Sequence, residues 1–156
     1  MPYADYEMAK MYRDGIGTAR NTEAAQLHFK AAFHGFQQME RQSRDDKLQY
    51  RLGQMLYTGT GTQKDIDKAI YYLEKSARLG NANAQYMLGK IYLDVHCGKF
   101  NVEKALRWLT KASDNGNALA QYALGKLCRD GNYMEKNIQR AVDLFTPVSY
   151  THLTLP

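Results

Sequence analysis

The sequence predicts an all-α fold built as a stack of helix-turn-helix repeats. Three observations predict it: a motif returns at a fixed step, apolar residues follow the helical period within each copy, and turn and capping residues recur at matching points. Gln49-Tyr50-Arg51-Leu52-Gly53 returns as Gln85-Tyr86-Met87-Leu88-Gly89 and as Gln121-Tyr122-Ala123-Leu124-Gly125, each 36 residues after the last. The same step relates Asp65, Asn101 and Asn137, then Lys68, Lys104 and Arg140, then Ala69, Ala105 and Ala141, and also Gly80 and Gly116. An earlier copy is visible in Ala4-Asp5-Tyr6, Asn21, Ala25, Phe29 and Gly35, 44 residues ahead of the next. The excess of 8 residues falls in the polar stretch Phe36 to Lys47, which reads as a longer connection between copies. The expected units are 3–47, 48–83, 84–119 and a truncated 120–146.

Each unit opens with a helix A. In the third copy Ala84, Leu88, Ile91 and Tyr92 fall on one face of a 3.6-residue helix, opposite polar positions. A loop follows at Gly98, matched by Gly59 and Gly61 and by Gly15 and Gly17, where freedom to take positive φ lets the chain turn. Helix B starts at Asn101, whose side-chain oxygen can accept from the orphan N–H groups of the first turn, and the cap recurs as Asn21, Asp65 and Asn137. Ala105, Leu106, Leu109 and Ala112 form its apolar face, and Gly116 suits the left-handed position beyond its end. Gly53, Gly89 and Gly125 each cost about 1 kcal/mol inside a helix relative to Ala, so their recurrence predicts a helix crossing too close for a Cβ.

The pattern Ala-x-Tyr-x-Leu-Gly-x-x-Tyr, a glycine loop, Asp/Asn-x-x-Lys-Ala and a closing Gly resembles the Sel1-like repeat, a relative of the tetratricopeptide repeat with a longer loop. The resemblance covers Leu48 to Phe145 closely and Ala4 to Gly35 more loosely. It departs from the pattern at Ala9, at Cys128 and at Lys99-Phe100. It implies a right-handed superhelical solenoid that binds other proteins. The wording Tyr50 to Tyr57 followed by Asp65 to Ala69 is also similar to Sel1-like arrays behind the nuclease domain of conjugative relaxases of Gram-positive anaerobes, which implies a bacterial mobilisation protein as parent.

Both ends are expected to be cut points. No capping helix precedes Ala4, and the helical pattern of the fourth copy stops at Pro147. Residues 147–156 lose the register and resemble translated adaptor read-through, so they read as an artefact outside the fold. A fourth unit with half a helix B should fray first, exposing Leu124, Leu127, Leu144 and Phe145.

Chain length and composition agree with a small folded array: 156 residues are 44% apolar. Nothing approaches the run of about 18 apolar residues that a membrane helix needs, so no membrane role is expected. Cys97 and Cys128 form neither a disulfide framework nor a zinc pattern, and a cytoplasmic setting is the default. Convergent catalytic groups are not evident, so no enzyme activity, cofactor or small-molecule substrate is expected. His96-Cys97 reads as loop, Tyr12, Tyr57 and Tyr92 read as packing that recurs with the repeat, and Gly59-Thr60-Gly61 reads as a turn.

A surface for a partner is expected along helix A. Tyr86, Lys90 and Leu93 share a face opposite Ala84 and Leu88, with equivalents Tyr6, Lys10 and Arg13, then Tyr50, Gln54 and Tyr57, then Tyr122, Lys126 and Arg129. Aromatic area and basic charge, with a net +5, suit a protein or peptide of acidic character. Nucleic acid is the second expectation, from the same charge.

Overall fold

The computed structural model describes residues 1–130, and these hold seven α-helices and no strand. In order they are α1 (Pro2–Asp14), α2 (Thr22–Gln42), α3 (Asp46–Thr58), α4 (Ile66–Arg78), α5 (Ala82–Leu93), α6 (Val102–Asp114) and α7 (Ala118–Asp130). Helices α1, α3, α5 and α7 are the A helices of the four copies, and each starts one or two residues ahead of the motif boundary. The described residues divide into two compact units that part between Leu79 and Gly80. Asn137, Arg140, Ala141, Leu144, Phe145, the truncation of the fourth copy and the tail 147–156 lie outside the described residues.

The loop between helices A and B closes the same way three times, although helix A ends on left-handed Gly15 and Gly59 in the first two copies and on extended Asp94 in the third. The cap residue donates its backbone N–H to a carbonyl in the last turns of helix A: Asn21 to Tyr12, Asp65 to Leu56 and Asn101 to Tyr92, at 2.9, 3.0 and 2.8 Å. Its side-chain oxygen then accepts from the third residue of helix B, as Ala24 to Asn21, Lys68 to Asp65 and Lys104 to Asn101. One Asn or Asp thus closes the loop and starts the helix, which is why the residue recurs. Gly61 meets two demands at once. Its φ is 72°, and a Cβ there would lie 2.3 Å from the carbonyl oxygen of Phe29, so the loop of the second copy rests on α2.

Of the helix-A glycines at which a close crossing is predicted, Gly53 and Gly89 show it. A Cβ at Gly53 would lie 2.6 Å from Leu73 Cγ, and one at Gly89 would lie 2.5 Å from Leu109 Cγ. The first copy solves the same contact differently, with Ala9 fully buried against Ala25 and Phe29. Around these crossings the first unit packs Phe33, Phe36, Leu48, Leu52, Met55 and Leu56, and the second packs Leu109, Ala112, Ala120, Leu124 and Leu127. Leu106, assigned to the buried face, packs only at the edge of that second cluster.

Three readings of the sequence require correction. The stretch Phe36 to Lys47 is not a long connection, because α2 continues through it to Gln42 and leaves only 43–45 outside helix. The inserted residues add helical turns: α2 has 21 residues where α4 and α6 have 13. The polar composition hid an amphipathic continuation, since Phe36 and Glu40 are buried and Met39 packs beside them. Gly35 is accordingly no terminator. It lies inside α2, where a Cβ would sit 2.4 Å from Pro2 Cγ, so it admits the start of α1. Finally, Tyr12, Tyr57 and Tyr92 do not share a register. The loop hydrogen bonds pair Tyr12 and Tyr92 with Leu56, whereas Tyr57 corresponds to Leu93 and is only half-buried.

Candidate interaction surfaces

The helix-A stripe divides into side chains that pack and side chains that face solvent. In the first unit Tyr50 is half-buried and accepts at its hydroxyl from Gln54 Nε2 at 2.9 Å. Burial pushes the Tyr50 phenol up from its ordinary value, against the smaller lowering effect of the Gln54 hydrogen bond. Tyr57 packs on the core of this unit, with the Lys64 ammonium 5.6 Å from its ring centroid. The earlier equivalent Tyr6 is also engaged, edge-on to Phe29 and under the Arg51 guanidinium at 4.4 Å. In this unit the aromatic members of the stripe are therefore already engaged within the protein, and Tyr6 of the first copy meets Arg51 of the second.

In the second unit Tyr86 and Leu93 pack against the cluster that holds Leu124 and Leu127 of α7. Lys90 is exposed, its ammonium 5.7 Å from the Tyr86 ring centroid. On α7, Tyr122 is 59% exposed and Lys126 and Arg129 are exposed, with Arg129 Nε 3.2 Å from Asp130. The solvent-exposed members of the stripe in this unit are thus Lys90, Tyr122, Lys126 and Arg129, whereas Tyr86 and Leu93 are half-buried.

A second feature, missed in the sequence, lies in the first unit where the extended end of α2 meets α4. An open cavity of about 700 Å³ is lined by Glu40, Arg41, Arg44, Gln49, Tyr71, Lys75, Arg78 and Leu79, among others. Glu40 is buried and pairs with Lys75 Nζ at 2.6 Å. That hydrogen bond holds the Lys75 ammonium above its ordinary value, and partial desolvation opposes it. Gln49 Nε2 donates to the same Glu40 oxygen at 3.2 Å. The pairing joins residues 35 apart in a helix extension that reads as loop, so the helical period alone gave no sign of it.

Elsewhere, Cys97 Sγ donates to the carbonyls of Ile91 and Asp94, and His96 is exposed in the same loop. Among the described residues no group of three or more His, Cys, Asp or Glu is placed to hold a metal ion. No described helix is long and apolar enough to cross a membrane.

Capped helix pairs, joined by glycine loops and packed through a recurrent close crossing, define an all-α repeat protein of the solenoid class. The Sel1 repeat matches residues 2–33, 47–81, 82–117 and 118–147. The chain belongs to the Sel1 repeat family, whose members typically serve as protein-interaction scaffolds. Among solved structures it is similar to a Sel1 repeat protein from Oxalobacter formigenes, with 25% identity, a TM-score of 0.65 and coverage of 92% of this chain and 56% of that one. It is also similar to c5321, a protective antigen of uropathogenic Escherichia coli strains displaying an SLR fold. There the identity is 26%, the TM-score 0.66 and the coverage 97% of this chain and 31% of that one. The chain therefore spans less than two thirds of the length of either relative. No curated protein matches it.

Proposed function

We propose that this chain is a non-catalytic protein-interaction scaffold that takes an acidic segment of a partner protein on the helix-A face of its second unit. The observation that carries the reading is the exposure of Lys90, Tyr122, Lys126 and Arg129 on the A helices of this unit, with Tyr86 and Leu93 half-buried. An aromatic ring supplies contact area at low entropic cost, and the cations steer acidic groups toward it. Tyr50, Gln54 and Tyr57 form the corresponding, more fully packed face of the first unit. A cytoplasmic setting is supported by the cysteine usage of the sequence, since Cys97 and Cys128 stand far apart with neither a disulfide framework nor a zinc pattern around them.

The test is recovery of partners on the immobilised chain, compared with a Lys90→Glu plus Lys126→Glu variant of the same helix content. Loss of the captured partner in the variant is the expected result. Unchanged recovery removes this face from consideration.

The net charge of +5 favours a second reading, an accessory nucleic-acid contact. The resemblance to arrays of conjugative relaxases supports the same reading. It requires single-stranded DNA binding that weakens steeply with salt, and no binding at low salt disposes of it.

A further inference from the structure

The repeat supplies an internal control for the cavity of the first unit. In the third copy Gln85 Oε1 accepts from Asn115 Nδ2 at 2.9 Å. The residue 36 positions before Asn115 is Leu79, and the two share a backbone conformation: φ −82°, ψ 3° for Leu79 and φ −87°, ψ 12° for Asn115. Gln49, the counterpart of Gln85, therefore has an apolar side chain where its donor would stand. Gln49 is 2% exposed, and its Oε1 has no hydrogen-bond partner among the described residues. Its amide cannot be turned round to remedy this, because the oxygen would then oppose the Glu40 carboxylate that now accepts from Nε2. A buried acceptor without a donor is rare in folded proteins and calls for a specific reason.

The same Gln49 lines the cavity, and the cations around it differ in how far they are committed. Lys75 is held by Glu40, and Arg78 by Glu74 at 3.3 Å. Arg41 and Arg44 have no ion pair among the described residues. Each guanidinium presents the planar fork that matches a carboxylate.

We infer that this cavity binds a short acidic peptide segment, with a backbone N–H donating to Gln49 Oε1 and carboxylates meeting Arg41 and Arg44. A peptide carries an amide donor at nearly every residue, which is what the orphaned oxygen needs. Nucleic acid fits less well. Tyr71, the ring a base would stack on, already has the Lys75 ammonium 5.0 Å from its centroid and Tyr72 edge-on at 5.2 Å. The inference shares with the proposed function only the class of occupant. It lies on another part of the molecule and stands or falls separately.

The probe is an acetylated, amidated pentapeptide with two aspartates flanking a leucine, titrated into the isotope-labelled chain by NMR. The expected result is saturable shifts of the Gln49 side-chain amide and of the Arg41 and Arg44 Nε–H signals. Replacing both aspartates by asparagine, or making Arg41→Gln plus Arg44→Gln, should weaken binding roughly tenfold or more, as expected for charge-assisted hydrogen bonds. Leu79→Asn should weaken it comparably while leaving helix content unchanged, because it gives Gln49 the donor that Asn115 gives Gln85. Lys90→Glu plus Lys126→Glu should leave the titration as it was, which separates this cavity from the helix-A face. Absence of a saturable shift at Gln49, or undiminished binding by the Leu79→Asn chain, overturns the inference. So does a short oligothymidylate that moves the same signals with equal affinity.

Discussion

Replacing Gly89 by alanine tests the central packing claim, because local preference and tertiary contact push in opposite directions. In an ordinary helix interior the change would stabilise by about 1 kcal/mol. Here the added Cβ would fall 2.5 Å from Leu109 Cγ and 2.6 Å from its Cδ2. Cγ is the branch point of the side chain, so no rotation of a distant methyl relieves the contact. Leu109 is itself 1% exposed and packed with Ala112 and Leu124, which leaves it nowhere to retreat without shifting the crossing. Overpacking of this kind costs about 1–3 kcal/mol, with this site near the upper end, so the net expectation is destabilisation by about 2 kcal/mol. Trp108, the one tryptophan of the chain, is next to Leu109 in α6, so its fluorescence during urea unfolding reports the second unit selectively. The midpoint should fall without loss of slope. In a Leu109→Ala background the added methyl should cost little or stabilise, giving a coupling of about 1 kcal/mol or more in the double-mutant cycle. A Gly89→Ala chain with a raised midpoint would refute the close crossing as the reason for the glycine.

Asn101→Ala removes a side-chain cap and should lower stability by about 1 kcal/mol, whereas Asn101→Gly should cost only a few tenths; the same fluorescence titration reads both. Lys75→Met leaves the Glu40 carboxylate buried with only Gln49 as partner, and thermal unfolding followed by circular dichroism should show a loss of about 1–3 kcal/mol. A smaller loss than Lys68→Met, on an exposed turn of the same helix, would mean that the pair contributes nothing. Alkaline titration should also lower stability. Lys75 is raised above 10.5 chiefly by its hydrogen bond to Glu40, and Tyr50 above 10.0 by burial. In both cases the unfolded state gives up its proton first, so the contribution is fully present below the ordinary values and is lost as pH rises through the folded ones. Equilibrium unfolding should be insensitive to these two groups near neutral pH, and a Lys75→Met, Tyr50→Phe chain should lose less stability than the parent above about pH 10.

Much of the fold was legible because its determinants are short-range and recur. A cap such as Asn101 acts on an N–H three residues away, and Gly98 acts on its own φ of 78°, so each reads correctly from a few residues of sequence. The buried face Ala84, Leu88, Ile91 and Tyr92 follows from the helical period, and all four are buried. Even the close crossing was visible, since a glycine inside a helix is unfavourable unless something occupies the space of its Cβ. The first copy adds that the choice depends on the facing residue: Ala9 is accommodated opposite Phe29, while Gly53 and Gly89 face the branched side chains of Leu73 and Leu109.

The stripe was legible only as a periodicity. Position along a helix says which side chains point together, but whether another helix covers them is decided by packing. Tyr86 and Leu93 pack against the cluster that α6 and α7 share, while Lys90 and Lys126 stay exposed. The extension of α2 shows the same division. Gln37, Gln38, Glu40, Arg41 and Gln42 have the polarity of a loop, and helix persists because Phe36 is buried, Met39 packs beside it and Glu40 is met by Lys75 from α4. The sequence by itself determined the repeat, its caps, its turns and its crossing, since those depend on residues within a few positions or on an excluded Cβ. Only the tertiary structure decided which aromatic rings are buried, where the added turns of α2 go and that Gln49 lacks the partner Gln85 has, because each depends on a side chain brought from a distant part of the chain.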